Sequence, residues 1–146
     1  MIKIEMNRVG GDYGFEAKDA NGHIITTDTS PESGGVNFGV RPMQMLLMAL
    51  GGCAGIDVAM ILKKQRQEVT GFRMDISGER EKGKEPSLWT NVHVVFELQG
   101  PIDQGKAERA CELSIMKYCS VAETLRRAGA QVTYEVRVTA QVSPES

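Results

Sequence analysis

From Met45 to Ile56 the chain carries no strongly polar side chain, and this run restricts its fold more than any other feature. Pro42 can open a helix at its first turn, and no proline follows from residue 43 to about 67. Met43, Met45, Leu46, Leu47, Met48, Ala49 and Leu50 make the first half apolar on every side. Beyond Asp57, Val58, Ile61 and Leu62 oppose Lys63, Lys64, Gln65 and Arg66. A helix that is apolar all round must be covered all round. A 16.0 kDa chain with a few strands is too small to sheathe a rod of about 37 Å, at roughly 1.5 Å per residue. A second copy of the chain is the simplest cover, so an obligate homodimer is expected. The run is shorter than the roughly 20 residues of a membrane span. Gly51, Gly52 and Gly55 interrupt it and Asp57 ends it, so a buried helix and no membrane partner are expected.

The rest of the composition narrows the function classes. With 146 residues the chain fits a single domain, 1–146. Its net charge of −2 leaves no cationic footprint for nucleic acid. Met1-Ile2-Lys3-Ile4-Glu5 has neither the apolar region nor the cleavage site of a signal peptide, and the expected compartment is the cytoplasm. Cys53, Cys111 and Cys119 are odd in number and widely spaced, which argues against a disulfide framework. No Cys-x-x-Cys occurs, and His23 and His93 fall in separate strand-like segments. No metal and no cofactor are expected.

Alternation predicts a small N-terminal antiparallel sheet over residues 1–29. Ile2, Ile4 and Met6 alternate with Lys3 and Glu5, and Tyr13, Phe15 and Ala17 form a second strand after a Gly10-Gly11 turn. Asn21-Gly22 then signals a hairpin before residues 23–27. Ser30 to Gly39 reads as a loop. Beyond the long helix, Val69 to Arg80 and Leu88 to Leu98 read as strands joined by a charged tip, Glu79 to Glu85. Asp103 is placed to cap a helix of 104–118 with Ala107, Ala110, Cys111, Ser114, Ile115 and Tyr118 on one face. Ser120 and Glu123 match a capping box, giving a short helix that stops at Gly129, and Val132 to Val142 reads as the last strand.

Two cysteines have chemical as well as structural readings. Cys53 lies in Gly51-Gly52-Cys53-Ala54-Gly55, where each glycine costs a helix about 0.8–1.0 kcal/mol. Such glycines admit another backbone or a substrate; a small thiol in a close helix crossing is the plainer reading. Cys119 is placed just ahead of a helix start, where partial positive charge can lower a thiol pKa. It could equally be a hydrophobic junction residue. Cys111 sits on the apolar face of its helix and reads as core. Two cysteines on separate elements suit a cycle in which one forms a sulfenic acid and the other condenses with it, though spacing alone does not bring them together.

The run Arg41-Pro42-Met43-Gln44-Met45-Leu46-Leu47-Met48-Ala49-Leu50-Gly51-Gly52-Cys53 resembles the first cysteine motif of the OsmC/Ohr superfamily, and Lys117-Tyr118-Cys119-Ser120-Val121 resembles the second. The order of elements agrees over essentially the whole chain, and the cysteine runs look most like the YhfA-type branch. The resemblance implies an α+β fold with an N-terminal antiparallel sheet, a long buried cysteine helix, a second sheet and a second cysteine helix, in an intertwined homodimer. It implies a peroxidatic role for Cys53, a resolving role for Cys119, a small organic hydroperoxide as substrate and a dithiol as reductant. The sequence departs from the peroxidase pattern at two places. Gly10-Gly11-Asp12 stands where an arginine is expected, and Met43-Gln44 follows Pro42 where a glutamate is expected. Arg8, Arg41 or Gln44 are the candidates to stabilise a thiolate in their stead.

Met43, Met45, Leu46 and Leu50 are the residues expected to line an apolar pocket of the dimer. A hydroperoxide reductase is therefore one reading. A non-catalytic protein of the same fold holding a small apolar ligand, its cysteines structural or redox-sensing, is the other.

Overall fold

The computed structural model describes residues 1–140. The described chain contains two three-stranded sheets and one helix much longer than the rest, and it divides into two compact units between Leu46 and Leu47. The last strand is expected to run to Val142, and residues 141 and 142 lie outside the described residues.

In the first unit, β1 (Glu5–Gly10), β2 (Gly14–Lys18) and β3 (Ile24–Thr27) form an antiparallel sheet in the order β1-β2-β3. The alternation of Ile2, Ile4 and Met6 suggests an earlier, half-buried strand. Pairing instead begins at Glu5 opposite Lys18 and slips at a bulge between Arg8 and Gly10. Ile4 and Met6 stay exposed. The alternation is genuine but has no apolar face opposite it within the described chain. The loop after β3 is organised by Asp28, whose carboxylate is buried and accepts the backbone N–H groups of Thr29 (2.7 Å), Val36 (2.8 Å) and Phe38 (3.1 Å). The Phe38 N–H leads these bonds, with those of Val36 and Thr29 and the charge of Arg41, in holding the Asp28 carboxyl below its usual range against the opposing effect of burial.

The second unit contains most of α1 (Pro42–Lys64), then β4 (Gly71–Arg80), β5 (Trp89–Gln99), α2 (Gln104–Leu113), α3 (Ser120–Arg127) and β6 (Gln131–Thr139). β4 pairs antiparallel to β5, and β5 pairs parallel to β6 from Asn91–Gln131 to Gln99–Thr139. On β5 the alternation is complete: Val92, Val94, Phe96 and Leu98 are buried and the residues between them are not. Cys111 of α2 and Leu125 of α3 join the same core. The opposite face of this sheet carries ion pairs, Arg73 with Asp75 and Glu97, and Arg137 with Glu97 and Glu135. His93 lies there beside Thr133.

α1 buries one stripe, Leu50, Ala54, Val58 and Leu62, each completely. The glycines Gly51 and Gly55 lie one turn apart on the side facing β4. A β-carbon on Gly51 would stand 2.7 Å from Cδ1 of Ile76, and one on Gly55 would stand 2.9 Å from Cε of Met74. They admit side chains of the sheet, whereas the sequence suggests a backbone or a substrate. Gly52 faces open space. Met48, Ile56 and Met60 are more than half exposed, so the described chain covers one side of a rod that is apolar on several. By length and hydropathy α1 would also pass as a membrane span, but its Leu50–Leu62 stripe is core.

The helix ends three residues before the expected position near 67. Arg66 adopts φ 57°, Gln67 N–H bonds to Leu62 O (2.9 Å) and Arg66 N–H to Lys63 O (3.0 Å). This is a Schellman stop with arginine in the left-handed position where glycine is strain-free. Arg66→Gly is therefore expected to raise stability by about 0.5–1 kcal/mol, some of the relief being offset by a freer unfolded chain. A urea titration checks this: the midpoint should rise at unchanged slope.

Candidate functional site

Cys53 and Asp57 are one helical turn apart on α1 and project to the same side. The other half of the site comes from the connection that returns the chain from β5 to β6. Ser114 to Tyr118 leave the α-helical pattern and form a single π turn, closed by the Cys119 N–H bonding to Ser114 O at 2.8 Å. The sequence suggests one regular helix through 118. The π turn inserts a residue into the helical repeat and rotates the chain beyond it, so Tyr118, expected on the buried face, is 52% exposed while Cys119 is turned inward. Arg126 donates to the Ile115 carbonyl (2.7 Å) and pairs with Glu123 (3.1 Å), fastening α3 to the turn.

Cys119 itself, one residue before the Ser120 inferred from the capping box, is the N-cap of α3. Its Sγ accepts the Ala122 N–H at 3.4 Å, as a serine hydroxyl would at such a position. Sulfur is a weak acceptor, and its burial outweighs the helix terminus. The Cys119 thiol is pushed up to about 11, chiefly by desolvation, with the Cys53 thiol adding to the rise and the Ala122 N–H opposing it. The sequence leaves open a lowered value or a hydrophobic junction residue, and the burial agrees with the second. Cys111, wholly buried, is pushed up to about 12 by desolvation, as befits a core residue.

These elements bring together the two sulfurs that the sequence could only nominate. Cys53 Sγ, Cys119 Sγ and a carboxylate oxygen of Asp57 lie within 4.8 Å of one another. All three cysteines are free thiols. Cys53 is half-buried and Cys119 is buried, 2% exposed. Ser114, fully buried, donates its hydroxyl to Asp57 Oδ2 at 3.0 Å. The three-atom group is one donor short of a closed zinc site and includes neither histidine. Sequence reasoning takes Asp57 as the end of an apolar run and a member of the YhfA-like cysteine run, with no chemical role, and Ser114 only as a face residue. The one visible signal is the four-residue spacing from Cys53 to Asp57.

A cavity of 620 Å³ opens beside Asp57, walled by Met60, Ile61, Lys64, Gln65, Leu113 and Tyr118. None of Met43, Met45, Leu46 and Leu50 lines this cavity. Leu50 is sealed in the core at 0% exposure, because it heads the buried stripe of α1. Met43 and Met45 are half-buried and Leu46 is exposed, on the first turns of the helix. The three candidate thiolate stabilisers belong to the first unit. Arg8 is exposed on β1, and Gln44 is exposed near the start of α1. Arg41 is half-buried, with its guanidinium donating to Gly39 O (2.9 Å) and Asn37 Oδ1 (3.4 Å).

Comparison with known proteins adds to this geometry. The family model described as OsmC-like protein matches residues 33–135. Protein YhfA of Escherichia coli strain K12 is 38% identical over 127 residues, which is 86% of this chain and 90% of YhfA. A hypothetical protein from Aquifex aeolicus VF5 is similar in structure, with TM-score 0.77 and 29% identity over 95% of this chain and 98% of that one. The organic hydroperoxide resistance protein OhrB of Bacillus subtilis shares the fold, with TM-score 0.62 and 14% identity over 95% and 98% of the two chains.

The exposure difference between the two site thiols predicts unequal reactivity. At pH 8, iodoacetamide should label Cys53 at least about tenfold faster than Cys119. Cys119 labelling should keep rising toward its pKa of about 11, since the thiolate is the reactive form. Peptide mass spectrometry across pH 7–11 measures both.

Proposed function

The chain belongs to the OsmC-like protein family, and from that premise we propose that it reduces small organic hydroperoxides with Cys53 as the peroxidatic and Cys119 as the resolving cysteine. The observation that carries the reading is the closeness of the two sulfurs, within 4.8 Å, which leaves only a short movement to the roughly 2.05 Å of a disulfide. Their unequal burial supports the division of roles. The more open Cys53 meets the peroxide and its sulfur takes one oxygen, forming a sulfenic acid and releasing an alcohol. Buried Cys119 then condenses with it, and an external dithiol restores both thiols. Met43, Met45 and Leu46 are proposed to meet the apolar part of the peroxide. Leu50 contributes from behind as core.

The working form is proposed to be a cytoplasmic homodimer without a cofactor, acting on neither nucleic acid nor membrane. The exposed Met48, Ile56 and Met60 of α1 support a second copy as cover, because so much contiguous apolar surface is unusual on a monomer. Sedimentation equilibrium should return twice the 16.0 kDa chain mass, and Ile56→Asp should shift it toward one. A single-chain mass for the unaltered protein would count against the dimer. The cavity beside Asp57 favours a second reading, a non-catalytic holder of apolar ligands, in which Cys53→Ser would leave binding intact.

Stopped-flow oxidation of the reduced protein separates the two. With cumene hydroperoxide the thiols should react at least about tenfold faster than free cysteine at the same pH, and Cys53→Ser should abolish turnover with dithiol. A rate no greater than that of free cysteine removes the enzyme reading.

A further inference from the structure

Disulfide formation between these two cysteines leaves one proton without a route. A thiol at about 11 is ionised in only about one molecule in ten thousand at pH 7. Yet Cys119 must surrender its proton as its sulfur bonds to Cys53, at a buried position. Asp57 is the group placed to receive it. One of its oxygens lies within 4.8 Å of both sulfurs, and Ser114 ties it to the resolving cysteine. The Ser114 hydroxyl holds Asp57 Oδ2 (3.0 Å), while the Ser114 carbonyl holds the Cys119 N–H (2.8 Å). One residue at the head of the π turn thus sets carboxylate and resolving cysteine in a common frame. Among the described residues, Lys64 and Tyr118 share its cavity, and the two thiols lie beside it. A carboxylate can accept a proton and return it within one step. Its chemistry fits the second step.

We propose that Asp57 carries the proton of the disulfide-forming step, taking it from the Cys119 thiol and delivering it to the oxygen that leaves Cys53. The proposal rests on the peroxidase reading. In this step the S–H bond of Cys119 and the S–O bond of Cys53 break, and an S–S bond and an O–H bond form. The Cys119 sulfur supplies the electron pair of the disulfide and is oxidised. The S–O pair departs with the oxygen, which leaves as water, and the Cys53 sulfur is reduced from sulfenic acid to disulfide level. Asp57 ends as it began, a carboxylate, so no further reactant is required.

The test is single-turnover oxidation of the full-length reduced protein by cumene hydroperoxide from pH 6 to 10, with acid quenching and mass spectrometry to count sulfenic acid and disulfide. Asp57→Asn should slow disulfide formation about 100-fold at pH 7, as loss of general acid–base help does, so that sulfenic acid accumulates. The variant's rate should climb about tenfold per pH unit as hydroxide takes over, whereas the unaltered protein's profile should be flatter. Asp57→Glu should restore part of the rate. A disulfide step in Asp57→Asn with unaltered rate and pH profile, in a protein whose wild type forms sulfenic acid normally, overturns the assignment. A wild type that forms neither species removes the peroxidase reading and this proposal with it. Should Asp57→Asn fail to fold, Ser114→Ala keeps the carboxylate but frees it. A slowed and steeper pH profile there supports the role, and an unchanged one rejects it.

Discussion

Parallel pairing of β5 with β6 is the constraint on which the rest of the second unit depends. Two antiparallel strands can be joined by a tight turn, but parallel ones require the chain to travel back across the sheet. Here residues 100–130 make that return, and they do so over the face that α1 already occupies. The return path carries Ser114 to Asp57 and Cys119 to Cys53. The site is thus a by-product of strand direction: two cysteines distant in sequence meet because one lies on the first helix over the sheet and the other on the crossover beside it.

Burial then gives the two sulfurs different characters without any charged neighbour having to do so. The sulfur on α1 is half-open, while the one at the start of α3 is enclosed and accepts a backbone N–H. Desolvation raises the enclosed thiol more than one hydrogen bond to a polarisable acceptor lowers it. The helix terminus therefore orients Cys119 without ionising it. That separation of geometry from charge is what makes a nearby carboxylate chemically useful.

How much of this can be read from residues depends on how local the cause is. The periodicity of β5 and the length of α1 are legible, because alternation and a proline-free apolar run are properties of neighbouring residues. The resemblance of the two cysteine runs supplies the order of elements and the pairing. The π turn is not legible, since Ser114 to Tyr118 read equally well as regular helix, and the slip of one hydrogen bond is decided by packing around Cys119 and by Arg126. Asp57 and Ser114 stay hidden for a related reason. Each looks ordinary alone, and their hydrogen bond spans 57 positions. Leu50 reads wrongly as pocket lining because an all-apolar stretch does not reveal which stripe faces inward, whereas the contacts of Gly51 and Gly55 with Ile76 and Met74 decide it.

The π turn also decides which way the chain faces at this place. An α-helix advances roughly 100° per residue, so the same residues closed as regular helix would swing the following sulfur about a quarter-turn away from α1. The tip between β4 and β5 bears no such restriction, as Lys82 to Pro86 are all exposed. Insertions in relatives of this chain should accordingly gather at that tip, whereas before Cys119 a one-residue deletion is tolerated where the segment then closes as regular helix and keeps the sulfur facing α1.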